Sequence, residues 1–254
     1  GEGNTASGSG ALFYNTTGFA NTATGTYSLN NNSIGNNNTA IGYRALESST
    51  TGNFNTASGS NALSYNTTGL WNTGIGSNAL YFNIEGNANV AVGNAALLSN
   101  ATGSSNTANG TDALFWNISG SSNTAIGHRT LFTNTTGVNN TAVGKEALLT
   151  ILTGSNNTAI GYKADVAEDA IVNATAIGSN AYAGASNSVV IGSVNGVNGA
   201  TASANVGIGT SAPDSKAILE LKSTNQGILF PRLTSLQRNA IVNPPDGLHL
   251  YNTD

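Results

Sequence analysis

An all-β parallel β-solenoid is the fold this sequence predicts, on three observations. Asn recurs every 17 residues from Asn4 to Asn157, ten times without an insertion. Gly follows each of these Asn four residues later, from Gly8 to Gly161. Between them an Ala is flanked by Thr, Val or Ile, as in "NTAIG" (157–161) and "NVAVG" (89–93). Those residues favour extended backbone.

The period selects the architecture. Helix–turn–helix repeats need more than about 30 residues, and two Gly per period oppose helix. The second Gly column runs from Gly18 through Gly35 and Gly52 to Gly154. Gly and Asn supply corners at positive φ, which side chains with a Cβ resist. One 17-residue repeat is therefore one coil. Coils stacked at about 4.8 Å make ten of them about 48 Å long. Stacking sets residue i above residue i+17, so each column becomes a ladder. Asn above Asn is expected to bond amide to amide. The Leu column, Leu12 to Leu148, is expected to form a continuous apolar stripe.

Adjacent apolar columns point to more than one chain. "AL" recurs at 45–46, 62–63, 79–80 and 96–97, and neighbours on a strand face opposite ways. Two dry environments follow: the coil interior, and a surface shared with a partner that approaches closely over the small Ala column. A corner that turns both side chains inward is the alternative. The reading is an obligate homo-oligomer.

From Gly161 the pattern changes. "ATAIGSNAYAGASNSVVIGS" (174–193) carries Gly178 and Gly192, a 14-residue step. This stretch resembles the head repeats of trimeric autotransporter adhesins, the YadA-type head. "NTAIGYRAL" (38–46) resembles a longer-coil relative found in bacterial surface proteins and phage tail fibres. The resemblance covers roughly residues 1–210. It implies a homotrimer of left-handed parallel β-rolls about a threefold axis, with a host-surface glycan or protein as receptor. The 17-residue coil and the Thr before Ala depart from the adhesin pattern, and no binding residue is carried over.

Three segments are expected: ten repeats over 1–162, head-like coils over 163–210, and a small mixed α/β capping or connecting module over 211–254. In the last, "AILELKS" (217–223) reads as a strand and "LHLY" (248–251) as another. "TSLQRNAI" (234–241) reads as a short helix capped by Thr234 or Ser235, and "NPPDG" (243–247) as a turn. The module resembles segments that follow such repeats in bacterial and phage fibre proteins.

Composition removes several function classes. Charged residues make up 8 %, and only 8 Lys and Arg oppose a net charge of −4. That leaves no patch to neutralise phosphates, so nucleic acid is not a partner. No apolar run approaches the roughly 18 residues of a membrane span. With no Cys there are no disulfides or thiol nucleophiles. The chain also has no Met and starts and stops within its pattern. It is expected to be an excerpt of a longer extracellular protein.

No catalytic residue, cofactor or metal is expected, and the chain is not read as an enzyme. Its two His, His128 and His249, are far apart in sequence. His128 reads as an exposed variable position. Asp165, Glu168 and Asp169 form the densest acidic cluster, read as a solvated corner rather than a cation site. Aromatic residues are the candidate surface contacts. Tyr14, Tyr65, Phe82 and Trp116 share the column ten after Asn, and Phe13, Tyr81, Phe115 and Phe132 the one before it. If the columns face opposite ways, one is exposed and able to stack on sugars or anchor a receptor. The other reading packs both at a chain–chain seam.

The function expected is a structural and adhesive trimeric fibre, the shaft or head of a bacterial surface adhesin or phage-like tail fibre. The alternative is a Thr-ladder solenoid that matches a regular surface such as ice, on the column Thr5, Thr22, Thr39 and Thr56. A carbohydrate-degrading fibre would need paired carboxylates, and none of the 12 Asp and Glu recurs in phase.

Overall fold

The computed structural model describes residues 1–167 and 169–254 and resolves into two units, Gly1–Ala204 and Asn205–Asp254. The first is a parallel β-solenoid. Its first ten strands, three residues each, are β1 (Thr5–Ser7), β2 (Thr22–Thr24), β3 (Thr39–Ile41), β4 (Thr56–Ser58), β5 (Thr73–Ile75), β6 (Val90–Val92), β7 (Thr107–Asn109), β8 (Thr124–Ile126), β9 (Thr141–Val143) and β10 (Thr158–Ile160). Then come β11 (Asp165–Val166), β12 (Thr175–Ile177), β13 (Tyr182–Ala183) and β14 (Val189–Ile191). Strands β1 to β10, β12 and β14 form one 12-stranded sheet in chain order. Every pair is parallel, and at a 17-residue offset Thr lies on Thr except at Val90, and Ala on Ala except at Gly74. The offset drops to 14 at Thr175↔Val189.

The corners explain the Gly columns. Gly42 has φ +131°, and a Cβ on it would meet the Gly59 carbonyl oxygen at 2.6 Å. Gly52 lies so close to the next coil that a Cβ would sit 2.7 Å from the Gly69 oxygen. A side chain at either place would push two coils apart.

The Ala–Leu pair corrects the expectation of two dry faces. Both members are inside: Ala45, Leu46, Ala62, Leu63, Ala96 and Leu97 are fully buried. The pair lies on a turn rather than a strand. Each Leu from Leu12 to Leu148 adopts the left-handed conformation, with φ between 47° and 53°, and that rotation brings its side chain to the same side as the Ala. The conformation costs a residue with a Cβ about 1–2 kcal/mol, while burying a Leu side chain contributes about 1.5–3 kcal/mol. Burial holds the corner. The Ala column is therefore core and cannot be a seam between chains.

Two Asn columns run through the interior. In the column from Asn4, the amide oxygen accepts from the backbone of the next coil: Asn38 N–H donates to Asn21 Oδ1 at 2.9 Å. Asn38 Nδ2 in turn donates to the Gly52 carbonyl at 2.7 Å. These bonds are mainly amide to backbone; the expected amide-to-amide bonds occur in this column as well, longer and only in places, from Asn55 to Asn38, Asn106 to Asn89 and Asn123 to Asn106, each at 3.2 Å. The amide-to-amide ladder is a second column, eleven residues after the first. Asn83 donates to Asn66, Asn100 to Asn83 and Asn117 to Asn100, each at 2.7 Å, and Asn134 to Asn117 at 2.8 Å. Both columns meet at the Gly carbonyls: the Gly103 oxygen accepts from Asn89 and Asn100, each at 2.8 Å.

Ser49 interrupts the second ladder, and Ile151 ends it. Within the ladder the buried atoms left without partners are those these two residues fail to meet: Asn32 Oδ1, Ser49 Oγ and Asn134 Oδ1.

In the second unit β15 (Val206–Ile208) pairs in parallel with β16 (Leu219–Leu221). Strand β17 (Arg232–Leu233) precedes α1 (Ser235–Asn239) and pairs with β18 (Tyr251–Asn252). Thr234 caps α1 in a capping box with Gln237. Extended pairing begins at Tyr251, so most of "LHLY" lies outside a strand. No described residue of Asn205–Asp254 is fully buried. Ile218, Leu229, Leu236 and Val242 are more than 70 % exposed.

Candidate binding surface

Because Ala points inward from each strand, its two neighbours point outward. The outer face of the sheet thus carries a Thr rank beside a second rank that is largely Ile and Val. Ile41, Ile75, Ile126, Ile160 and Ile177 of that rank are all exposed large apolar residues. The exposed apolar rank is this one, on the sheet, and not the Ala column. The Thr column has no second Thr rank beside it on the face.

The aromatic columns lie on the turn that follows the buried Leu. Turn geometry, not strand alternation, governs their direction, and adjacent rings touch one another on the outside. This corrects the expectation of opposite faces. Tyr65 and Phe82 come together as a stacked pair with ring centroids 5.4 Å apart. Tyr81 packs edge-on against both, at 5.0 and 4.5 Å. Trp116 meets Phe115 edge-on at 4.8 Å, and Phe115 stacks on Phe132 at 5.2 Å. The Arg129 guanidinium lies 4.4 Å from the Phe132 ring centre. Tyr14 stands in the first coil with Phe13, 4.8 Å away and edge-on. The four candidates are thus all exposed, but only Tyr65 and Phe82 touch each other.

A further pair is absent from the sequence reading. Phe54 and Trp71 lie in the column just before the Asn, with ring centroids 6.1 Å apart and planes within 9°. They are 52 % and 58 % exposed. Their signal in the sequence is compositional: the same column elsewhere reads Ala20, Asn37, Ala88, Ser105, Ser122 and Asn139.

Charged groups are sparse. Glu146 lies between Lys145 at 3.5 Å and Lys163 at 3.6 Å. His128 is exposed. Asp165 stands in the Leu column, and unlike the solvated corner expected of it, it is 5 % exposed. Its carboxylate accepts from the Val166 N–H at 2.9 Å and from Thr150 Oγ1 at 3.2 Å. Burial pushes its pKa from 3.8 up to about 6, against the opposing effect of those hydrogen bonds. Asp169 is exposed, and Glu168 lies outside the described residues. Among the described residues no group of three His, Cys, Asp or Glu is placed to hold a metal. No helix among them is long and apolar enough to cross a membrane.

Residues 207–254 match the family model described as the phage tail like trimerisation region. No curated protein and no solved structure matches the chain. A β-solenoid joined to a segment of this kind fits a structural trimeric fibre, of the sort found in phage and bacterial fibre proteins.

Proposed function

We propose that the chain is part of an extracellular trimeric fibre, phage-tail-like or bacterial, that gives reach and presents three copies of a surface-contacting face. The observation that carries the reading is the contrast between the two units. Residues 1–204 enclose a continuous Ala, Leu and Asn interior. Residues 205–254 have no buried residue and expose Ile218, Leu229, Leu236 and Val242. Apolar side chains gain little while they face water, so the second unit acquires an interior by packing against its copies. The resemblance of 207–254 to a trimerisation region supports three as the number. In the solenoid, the Ile and Val rank of the sheet supplies the apolar side for contact between copies.

Tyr14, Tyr65, Phe82 and Trp116 are the receptor contacts in this reading. One weak site repeated three times gains avidity without any new contact, which suits a surface with scattered glycans or protein receptors. The chain's role is structural and adhesive rather than catalytic.

Sedimentation tests the assembly. The chain is 25.5 kDa, and three times that mass is expected at micromolar concentration. The double variant Leu236→Asp, Val242→Asp is expected to sediment as a monomer that keeps its β-sheet circular dichroism. A monomeric wild-type chain overturns the proposal.

A further inference from the structure

The backbone of the column that holds Phe54 and Trp71 is left-handed throughout: φ is 56° at Asn37, 58° at Phe54, 56° at Trp71 and 54° at Ala88. Asn is among the residues that tolerate this conformation best, whereas a bulky ring there is an outlier. The Leu column adopts the same conformation, but every Leu from Leu29 to Leu148 is fully buried in return. Phe54 and Trp71 have no such compensation, since about half of each stays in water. Strained positions that fold stability does not explain concentrate at functional sites.

The surroundings define what the rings can hold. One residue earlier the adjacent column reads Asn36, Asn53, Leu70 and Asn87 across these coils. The oxygens of Asn53 and Asn87 accept the Asn36 and Leu70 N–H groups at 2.7 and 2.8 Å. Those bonds fix the amides of the column next to the rings; Asn53 Nδ2 also donates to the Thr51 carbonyl at 3.0 Å, which leaves one of its two N–H groups for a ligand. No charged residue occurs in either column between Asn36 and Ala88. A pair of nearly parallel exposed rings on adjacent coils, bordered by neutral amides, suits a ligand with apolar faces and a hydroxyl rim. An anionic polymer finds no cation there. The Ile and Val rank extends over eight strands between Ile41 and Ile191, interrupted at Ser58 and Asn109, as a seam between copies would, whereas the ring pair occupies two coils.

We propose that Phe54 and Trp71 form a carbohydrate platform on which linked pyranose units of a neutral glycan stack, with neighbouring Asn amides bonding the sugar hydroxyls. The proposal rests on the reading of the chain as a surface-contacting fibre and adds a site separate from the turn aromatics.

Fluorine resonance of the full chain labelled with 5-fluorotryptophan tests it. The chain has two Trp, so two resonances appear, and Trp71→Phe assigns them. Cellohexaose, maltohexaose and hexa-N-acetylchitohexaose are the probes. At least one is expected to shift the Trp71 resonance saturably in the millimolar range, and Phe54→Ala to weaken that response at least tenfold with circular dichroism unchanged. No saturable Trp71 shift with any of the three overturns the proposal. A shift confined to Trp116, a response untouched by Phe54→Ala, or a Trp71 shift produced only by phosphatidylcholine vesicles overturns it as well. Sedimentation of the same sample separates the two readings. A trimer silent to all three sugars rejects the platform alone. A monomer that still responds rejects the trimeric fibre and keeps the platform.

Discussion

Replacing Ser49 with Asn should stabilise the solenoid, and the structure indicates by how much. Ser49 is fully buried in a column where Asn32 and Asn66 occupy the same place one coil to either side. Asn32 Oδ1 and Ser49 Oγ are without partners, because the Ser side chain stops short of both neighbouring amides. In an unbroken stretch each Asn makes three such bonds. Asn100 donates to Asn83 at 2.7 Å and to the Gly103 oxygen at 2.8 Å, and accepts from Asn117 at 2.7 Å. An Asn at 49 would complete the same set with Asn32, Gly52 and Asn66. Each buried bond is worth about 1 kcal/mol net, and relief of an unsatisfied buried acceptor is worth about 1–3 kcal/mol. Ordering the longer side chain takes back part of that gain. A net stabilisation of about 2 kcal/mol remains. Stability in a stacked repeat is local, so the proper readout is amide hydrogen exchange resolved along the chain. The backbone amides of coils 46–70 should exchange about 25-fold more slowly, while those beyond Asn117 should not change. A neutral or faster-exchanging Ser49→Asn would mean that the ladder contributes nothing there, and the account of the two Asn columns would fail with it.

Leu97→Ala should cost about 2–5 kcal/mol, the usual range for a buried Leu, read as a lower denaturant midpoint. Gly42→Ala forces a Cβ against the Gly59 carbonyl at 2.6 Å in a conformation at φ +131°. It should lower the melting temperature more than Leu97→Ala, and a near-wild-type melt would contradict the stacking geometry. Asp165 makes stability depend on pH. Its folded pKa, about 6, lies above the ordinary 3.8, so the neutral carboxyl is favoured in the fold. The stabilisation is fully present below about pH 4 and is lost as pH rises through 6, on the order of 3 kcal/mol in all. Asp165→Asn should remove that dependence, checked by exchange of the 149–166 amides at pH 4 and pH 7.

The strands and corners were legible because their signals are local and repeated. "NTAIG" is extended backbone followed by a Gly that must take φ near +130°, and ten copies leave no doubt about phase. The inward turn of Leu46 was legible only as the second choice, because Leu ordinarily avoids positive φ and the strand rule then assigns Ala45 and Leu46 to opposite faces. Only burial of the side chain makes that conformation favourable, and burial is a property of the whole stack. The same rule misdirected the aromatic columns, since Tyr81 and Phe82 sit on a turn that splays both rings outward. The second Asn ladder was hidden by its own exceptions, Ser49 and Ile151, while the first drew attention by having none. Asp165 looked like surface because it is acidic. Its place in the Leu column was the better guide.

One consequence of the register concerns force. Hydrogen bonds in the sheet run from coil to coil, so tension applied along the stack loads successive coils in series rather than in parallel. The coil with the weakest hold gives way first, and the unpartnered atoms around Ser49 loosen the hold there. Once freed, 17 residues extend by about 3.4 Å each, so each lost coil pays out close to 60 Å of chain and resets the tension. A stack built this way resists sideways bending while lengthening stepwise when pulled, which would let it absorb a sudden tug without breaking.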